Sequence, residues 1–452
     1  MKKYSASKLL VVVFVIVSLL SLSYAFAKKP DNPGKPKPPP EPQPLELSDG
    51  LNFVVGFWQD TNMMLVKQDS NAFAGPELIE TEYGGSSIQV ADVDGVVDDN
   101  GAKWAEIVVA RACTIGHGRN EKYGNFINLF KNGETGLWKS NYYDETQYLI
   151  DTSSSIKILA ANLDGDPEDE IVMMTAHKIG IYDFNSNYLY GMELVKTIDL
   201  VDLPYYGPQL KWRDFTIGDV LGTDSPQIVI AGSYSDEQSG PPYEAHEYLF
   251  VLKNPQAEFF ETLGFNLYEE IGDFCIGDVR IGDHNGDEQN EIWISGWQNH
   301  FELTPFEYDN LVYSWTIVGD ELVPFASIDA DGPDSYSSSL GPEITIGDFY
   351  PGDNYPGDEL IIRRYVYPPG TDIAIYNDLV CIDTIPYPTL RAYGLEVSGG
   401  YIFVSGFIPY EMGHFLEIFQ IQENGTHQTI FYYEDLDGAE ISGPTVGLGV
   451  VN

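Results

Sequence analysis

Beyond position 50 the apolar residues fall in short runs, alternating in some and continuous in others, each bounded by Gly, Pro, Asn or Asp. That is the pattern of β-strands, and no long segment after residue 27 carries helical periodicity. The runs repeat. Five segments align: IQVADVDG from Ile88, IKILAANLDGD from Ile156, FTIGDVLG from Phe215, FCIGDVRIGD from Phe274 and ITIGDFYPGD from Ile344. Each is followed by a second apolar run, beginning at Glu106, Glu170, Gln227, Glu291 and Glu359. Taking Asp92, Asn162, Asp219, Asp278 and Asp348 as the acidic anchors gives spacings of 70, 57, 59 and 70 residues. Two further strands follow in each unit, so a unit holds the four strands of one propeller blade. Residues 390–435 supply a sixth set of four without an acidic loop. The leftover PTVGLGVV from Pro444 resembles the first strand of a unit, and NFVVGFW, NMMLVKQ and ELIETEY near the N-terminus resemble the other three. The expected fold is all-β: a propeller of seven four-stranded blades, the last closed by strands from both ends of the chain. A ring of six or eight blades, a linear array or two separate domains are the alternatives.

The turns between first and second strands carry the chemistry. The second unit reads Asn162, Leu163, Asp164, Gly165, Asp166, Pro167, Glu168, Asp169, Glu170, and the fourth repeats the spacing with Asp283, Asn285, Gly286, Asp287 and Glu291. Oxygen-bearing side chains at alternate positions converge on one ion, and the glycine permits the turn. Asp, Asn and Gly also favour turns with no ion present. Two loops of equal spacing at the same place in a repeat strain that bland account.

These units resemble the FG-GAP or VCBS repeats of integrin α-chain propellers and of many secreted microbial proteins. The resemblance implies Ca²⁺ bound through the first, third, fifth and ninth side chains and the seventh carbonyl. For the second unit these are Asn162, Asp164, Asp166 and Glu170 with the carbonyl of Glu168. For the fourth they are Asp283, Asn285, Asp287 and Glu291 with the carbonyl of Gln289. The first unit departs by an insertion, offering Asp92, Asp94, Asp98 and Glu106. The fifth offers Asp348, Asp353, Asp358 and Glu359 in a lengthened loop. The third has Gln227 where the ninth ligand belongs, so it is expected to bind no metal.

Charge sharpens the class of partner. The chain carries 24 basic and 69 acidic residues, a formal charge of −45, which repels phosphate backbones and speaks against nucleic acid. Lys2, Lys3 and Lys8, the apolar stretch from Leu9 to Leu22 and the Ala25, Phe26, Ala27 site read as a signal peptide over residues 1–27, with a retained anchor as the other reading. The proline-rich residues 28–45 read as an extended linker, and residues 46–452 as the propeller. A secreted or surface-attached monomer is expected, with no membrane span after cleavage. Cys113, Cys275 and Cys381, each among apolar neighbours, read as buried free thiols.

The loops joining second to third strands should emerge on the face away from the acidic loops. They read as long and aromatic over residues 114–125, 233–247 and 297–310, holding His117, Tyr123, Tyr234, Tyr243, His246, Trp297, His300, Phe301 and Phe306, with Tyr367 in the fifth unit. Aromatic planes on a rigid scaffold suit a glycan or a protein partner, though such residues also merely cover blade ends. The expected role is an extracellular binding or adhesion module. The rival is a polysaccharide lyase or hydrolase using carboxylates from different blades, invisible to motif reading because HExxH, GxSxG and CxxC are all absent.

Overall fold

The computed structural model describes residues 52–57, 62–69, 72–80, 87–96, 105–115, 122–131, 138–139, 156–185, 192–200, 203, 210–223, 225–235, 245–257, 261–267, 271, 274–300, 307–330, 342–349, 357–366, 370–377, 379–387, 391–398, 400–408, 413–422, 424–435 and 444–445. The chain opens with β1 (Asn52–Phe57), β2 (Asn62–Asp69) and β3 (Ala72–Glu80). The first unit is β4 (Ser87–Ala91), β5 (Glu106–Ile115), β6 (Lys122–Lys131) and β7 (Trp138–Lys139). The second is β8 (Ile156–Ala161), β9 (Glu170–Thr175), β10 (Lys178–Phe184) and β11 (Met192–Asp199), and the third β12 (Leu210–Gly218), β13 (Gln227–Ser235), β14 (Ala245–Lys253) and β15 (Glu261–Asn266). The fourth is β16 (Phe274–Gly282), β17 (Glu291–His300), β18 (Glu307–Val318) and β19 (Glu321–Asp329), and the fifth β20 (Glu343–Gly347), β21 (Glu359–Val366), β22 (Gly370–Asn377) and β23 (Val380–Tyr387). The sixth is β24 (Arg391–Ser398), β25 (Tyr401–Ile408), β26 (Gly413–Ile421) and β27 (His427–Asp435), and β28 (Pro444–Thr445) comes last.

Each of the six units is a four-stranded antiparallel sheet whose strands pair in chain order, the arrangement of a propeller blade. A further sheet takes the order β28-β1-β2-β3, joined by Gly56↔Thr445 and Phe57↔Pro444. Of the expected C-terminal strand only these two residues are described, and residues 446–452 lie outside the described set.

The core lies between sheets. Ile171 and Met173 of β9 pack toward the first unit with Val108 and Ala110, whereas Val172 and Met174 of the same strand pack toward the third with Phe215, Ile228 and Ile230. Successive side chains leave a strand on opposite faces, so a strand covered on both faces must be apolar throughout. This explains the continuous run IVMM, buried together with Glu170 and Thr175 at its ends. The same interleaving joins units three to four, four to five and five to six. Phe403, Leu416 and Ile418 of the sixth unit meet Val66 and Phe73, and Val54 and Leu65 meet Ile88, Ile107 and Val109 of the first.

Two readings need correction. The anchor of the fourth unit is Asp283, not Asp278: Asp283 opens the loop whose second N–H is held by Glu291, as Asn162 opens the loop held by Glu170. The motif Gly-Asp occurs twice in β16 and its extension, and the first copy belongs to the strand. Nor are the cysteines uniformly buried. Cys275 is half-buried and Cys381 is exposed on β23, an outermost strand with solvent on one face; the side chain of Cys113 lies outside the described residues.

Candidate metal centre

The acidic loops of the first, second and fourth units are built by the same local rule, in which side-chain oxygens at odd positions accept the backbone N–H groups of the turn. In the second unit Asn162 Oδ1 accepts from Gly165 at 2.6 Å, Asp164 Oδ1 from Asp166 at 3.1 Å and Asp166 Oδ1 from Glu168 at 3.0 Å. In the fourth, Asp283 Oδ1 accepts from Gly286 at 2.7 Å, Asn285 Oδ1 from Asp287 at 2.8 Å and Asp287 Oδ1 from Gln289 at 2.9 Å. The first unit begins alike, with Asp92 Oδ1 accepting from Gly95 at 3.0 Å and Asp94 Oδ1 from Val96 at 3.2 Å. The fourth residue is a left-handed glycine in four loops: Gly95, Gly165, Gly222 and Gly286, with φ of 64°, 86°, 64° and 70°. Glu168 and Gln289 stand at the seventh position, and the Glu168 carboxyl lies over Gly95, where an added Cβ would stand 2.7 Å from its Oε1.

The residue that opens the second strand, ninth in the second, third and fourth units and later in the first and fifth, turns back under the loop. Its oxygen accepts the second N–H of the loop in all five units: Val93 to Glu106 at 3.1 Å, Leu163 to Glu170 at 2.6 Å, Val220 to Gln227 at 2.9 Å, His284 to Glu291 at 2.9 Å and Phe349 to Glu359 at 3.0 Å. Glu106, Glu170 and Glu291 are 0% exposed. Burial, reinforced by Asp164, pushes the Glu170 carboxyl up to about 7, and burial with Asp283 and Asp287 pushes Glu291 to about 7. A carboxylate held in such a place gains most from a cation.

Among the described residues three groups bring carboxylate oxygens within 4.8 Å of one another: Asp92, Asp94 and Glu106; Asp164, Asp166 and Glu170; Asp283, Asp287 and Glu291. These clusters could hold a metal ion, and an all-oxygen donor set fits a hard divalent cation. Asn162 and Asn285 stand in the same loops, with Asn285 Nδ2 donating to Glu291 Oε1 at 3.0 Å. The fifth unit assembles differently. Asp348 is exposed, and Asn377 Nδ2 donates to the second oxygen of the buried Glu359 at 3.3 Å. Asp98 and Asp353 lie outside the described residues. In the third unit the amide of Gln227 donates to Thr223 Oγ1 at 3.0 Å and to the carbonyl of Ser225, so the loop closes on hydrogen bonds.

The expected aromatic face is only partly described. Trp297 is half-buried within β17, paired in register with Cys275 and Asn310 rather than held on a loop. Tyr123, Tyr234, His246 and His300 also sit in strands, Tyr234 opposite His246 and His300 opposite Glu307. Ladder hydrogen bonds use backbone groups and extend through polar sequence, so the strands run further than the apolar pattern. His117, Tyr243, Phe301, Phe306 and Tyr367 lie outside the described residues.

A second charged group went unread in the sequence. Lys157, Asp214, Asp278 and Glu343 stand on the first strands of consecutive units, each five residues before the loop anchor. Lys157 Nζ pairs with Asp214 Oδ1 and donates to the Phe215 carbonyl at 3.0 Å. Arg280 pairs with both Asp214 and Asp278, and Arg363 Nε lies 2.9 Å from Glu343 Oε2. The first strands are tied together by this group: the N–H of Val279 donates to Asp214 Oδ2 and that of Ile344 to Asp278 Oδ2, each at 3.1 Å. Burial opposes ionisation of Asp214, but Lys157, a hydrogen bond from Asp278 and Arg280 overcome it and hold its pKa below the usual range. Burial drives Asp278 well above that range despite Arg280, with the Asp214 charge adding. The fixed offset from the loop anchor was the available signal.

Comparison with known proteins gives no family model and no curated protein that matches the chain. Among solved structures, a putative 6-phosphogluconolactonase from Bacteroides fragilis aligns at 9% identity with a TM-score of 0.49, over 89% of this chain and 98% of that one. The exotype rhamnogalacturonan lyase YesX aligns at 12% identity and TM-score 0.38, over 83% and 73%. BBS1N, in complex with ARL6DN, aligns at 10% identity and TM-score 0.35, over 78% and 93%.

Proposed function

We propose that this chain is a secreted Ca²⁺-binding β-propeller of the FG-GAP or VCBS kind that serves as an extracellular binding module for a glycan or a protein. The observation that carries the reading is the recurrence of one geometry in three units: two loop carboxylates and a fully buried glutamate within 4.8 Å of one another. Repetition at the same register is what separates a designed ion loop from a turn that happens to be acidic. Among the described residues no helix is long and apolar enough to cross a membrane. Calorimetric titration of the metal-stripped chain with Ca²⁺ tests the first half of the proposal. Binding that survives Glu170→Gln and Glu291→Gln unchanged would overturn the assignment. A glycan array read with and without Ca²⁺ tests the second half.

The closure proposed with it is that the sheet β28-β1-β2-β3 is the seventh blade, its apolar contacts to the sixth and first units supporting that place. Removing residues 444–452 should then bare an edge of β1 and cause aggregation or loss of cooperative unfolding. A truncated chain melting like the parent would sink it.

The enzyme reading has one observation in its favour. Asp214 and Asp278 flank one guanidinium with their pKa values driven apart, which is how acid and base are assigned in carboxylate pairs. Asp278→Asn should then abolish turnover of a polysaccharide; the binding-module reading predicts no turnover in the parent.

A further inference from the structure

The residue just before the buried glutamate does a different job from its neighbour. Asp92 and Asp169 form a reciprocal pair across two units: the N–H of Asp169 donates to the Asp92 carbonyl at 2.8 Å, and the N–H of Asp92 donates to Asp169 Oδ2 at 3.2 Å. The fourth and fifth units repeat it. The N–H of Asp358 donates to the Asp283 carbonyl at 2.7 Å, and the N–H of Asp283 donates to Asp358 Oδ2 at 3.0 Å. Between the third and fourth units Asn290 Nδ2 donates to the Asp219 carbonyl at 2.8 Å. In every case the residue at the head of one second strand grips the first residue of the preceding unit's loop. The third unit has Pro226 at this place, which has no N–H to offer Asn162.

The arrangement follows from strand geometry. Adjacent side chains leave the backbone in opposite directions, and each face of a second strand fronts a different loop. In Asp169-Glu170 and Asp358-Glu359 one carboxylate therefore serves the unit's own loop and the other the loop of its neighbour.

We infer that Asp169 and Asp358 are positioning residues that couple each acidic loop to the next unit, so that the affinity of the first unit for its ion is set in part by the second, and that of the fourth by the fifth. This rests on the metal reading above. An ion in the second unit fixes Glu170, hence the head of β9, hence Asp169 and the backbone of Asp92, which supplies the first ligand of the neighbouring site. Coupling of this kind is reciprocal, so an ion in the first unit must favour binding in the second equally. The break at Pro226 divides the loops into two groups, the first with the second, and the third through the fifth.

The test is Ca²⁺ titration of the full chain by calorimetry in backgrounds that leave one site intact. With Glu170→Gln and Glu291→Gln the first unit's is the one of the three clusters left intact, and adding Asp169→Ala should weaken it about tenfold, the usual effect of losing a group that orients a ligand. Asp169→Asn, whose amide oxygen can accept the same N–H, should restore it. With Glu106→Gln and Glu291→Gln the second unit's is the one left intact, and Asp169→Ala should leave its affinity within about twofold. Asp358→Ala, weakening the fourth unit to the same degree, gives an independent answer if Asp169→Ala fails to fold. An unchanged first site, or equal loss at the first and second, would overturn the coupling while leaving the metal reading intact. A parent chain that binds no Ca²⁺ would overturn both.

Discussion

The loops of the second and third units share the left-handed turn and differ in their side chains, Asp164, Asp166 and Glu170 in the one standing where Leu221, Thr223 and Gln227 stand in the other. Gly165 and Gly222 both adopt the left-handed turn, and Glu170 and Gln227 both reach back to take the second N–H of their loops, at 2.6 and 2.9 Å. Gln227 then uses its amide N–H groups to satisfy Thr223 and Ser225, whereas Glu170 has no such amide and burial pushes its carboxyl to about 7. The loop conformation therefore does not require an ion. The buried carboxylate stands with two further carboxylates close to it, a group that could hold a metal ion.

The largest effect that could break this comparison is removal of the ion itself. Each filled site should contribute about 2.7 kcal/mol at a free Ca²⁺ level one hundred times Kd, so chelation should lower the melting midpoint markedly. A midpoint indifferent to chelator would put the second loop in the class of the third. Next in size, Glu170→Gln gives the second loop the ninth side chain of the third. The ion-free variant should be more stable than the ion-free parent at pH 8 by about 1–2 kcal/mol, having lost a buried charge, while its response to Ca²⁺ shrinks. A variant less stable than the parent under chelation would show that Glu170 contributes more than ion binding.

The pH dependence sharpens the contrast further. Glu170 and Glu291 have carboxyls near 7 in the folded chain against 4.5 ordinarily, so between these values the folded state holds more protons than the unfolded one. Stability of the ion-free protein should therefore fall as pH rises from about 4.5 through about 7, and saturating Ca²⁺ should remove that slope. Melting curves across this range, with and without chelator, decide it; a slope unaltered by Glu170→Gln together with Glu291→Gln would assign it elsewhere. The smallest effect is expected in the third unit, where Thr223→Ala removes one acceptor from Gln227. It should cost about 1 kcal/mol, equally with and without Ca²⁺.

Much of this site was legible because it is local. Asn162 to Glu170 and Asp283 to Glu291 each close within nine consecutive residues, and side-chain-to-backbone turns depend only on that spacing. The apolar runs of the second strands recur after each loop and marked the unit in the same way. The aromatic face was harder to read, since Trp297, Tyr234 and His246 lie in backbone ladders that no side-chain pattern marks.

By itself the sequence determined the repeating unit, its four strands and the loops able to gather oxygens, because each is written within one unit and governed by short-range geometry. Only the tertiary structure decided which unit lies beside which, and with it the contacts between units. Asp92 meets Asp169 across 77 positions, Asp214 meets Val279 across 65 and Asp283 meets Asp358 across 75. No periodicity along the chain encodes such pairs. They arise when apolar faces of neighbouring sheets interlock and bring the heads of their strands into register, so that one residue of an acidic dipeptide serves its own loop and the other the loop next door.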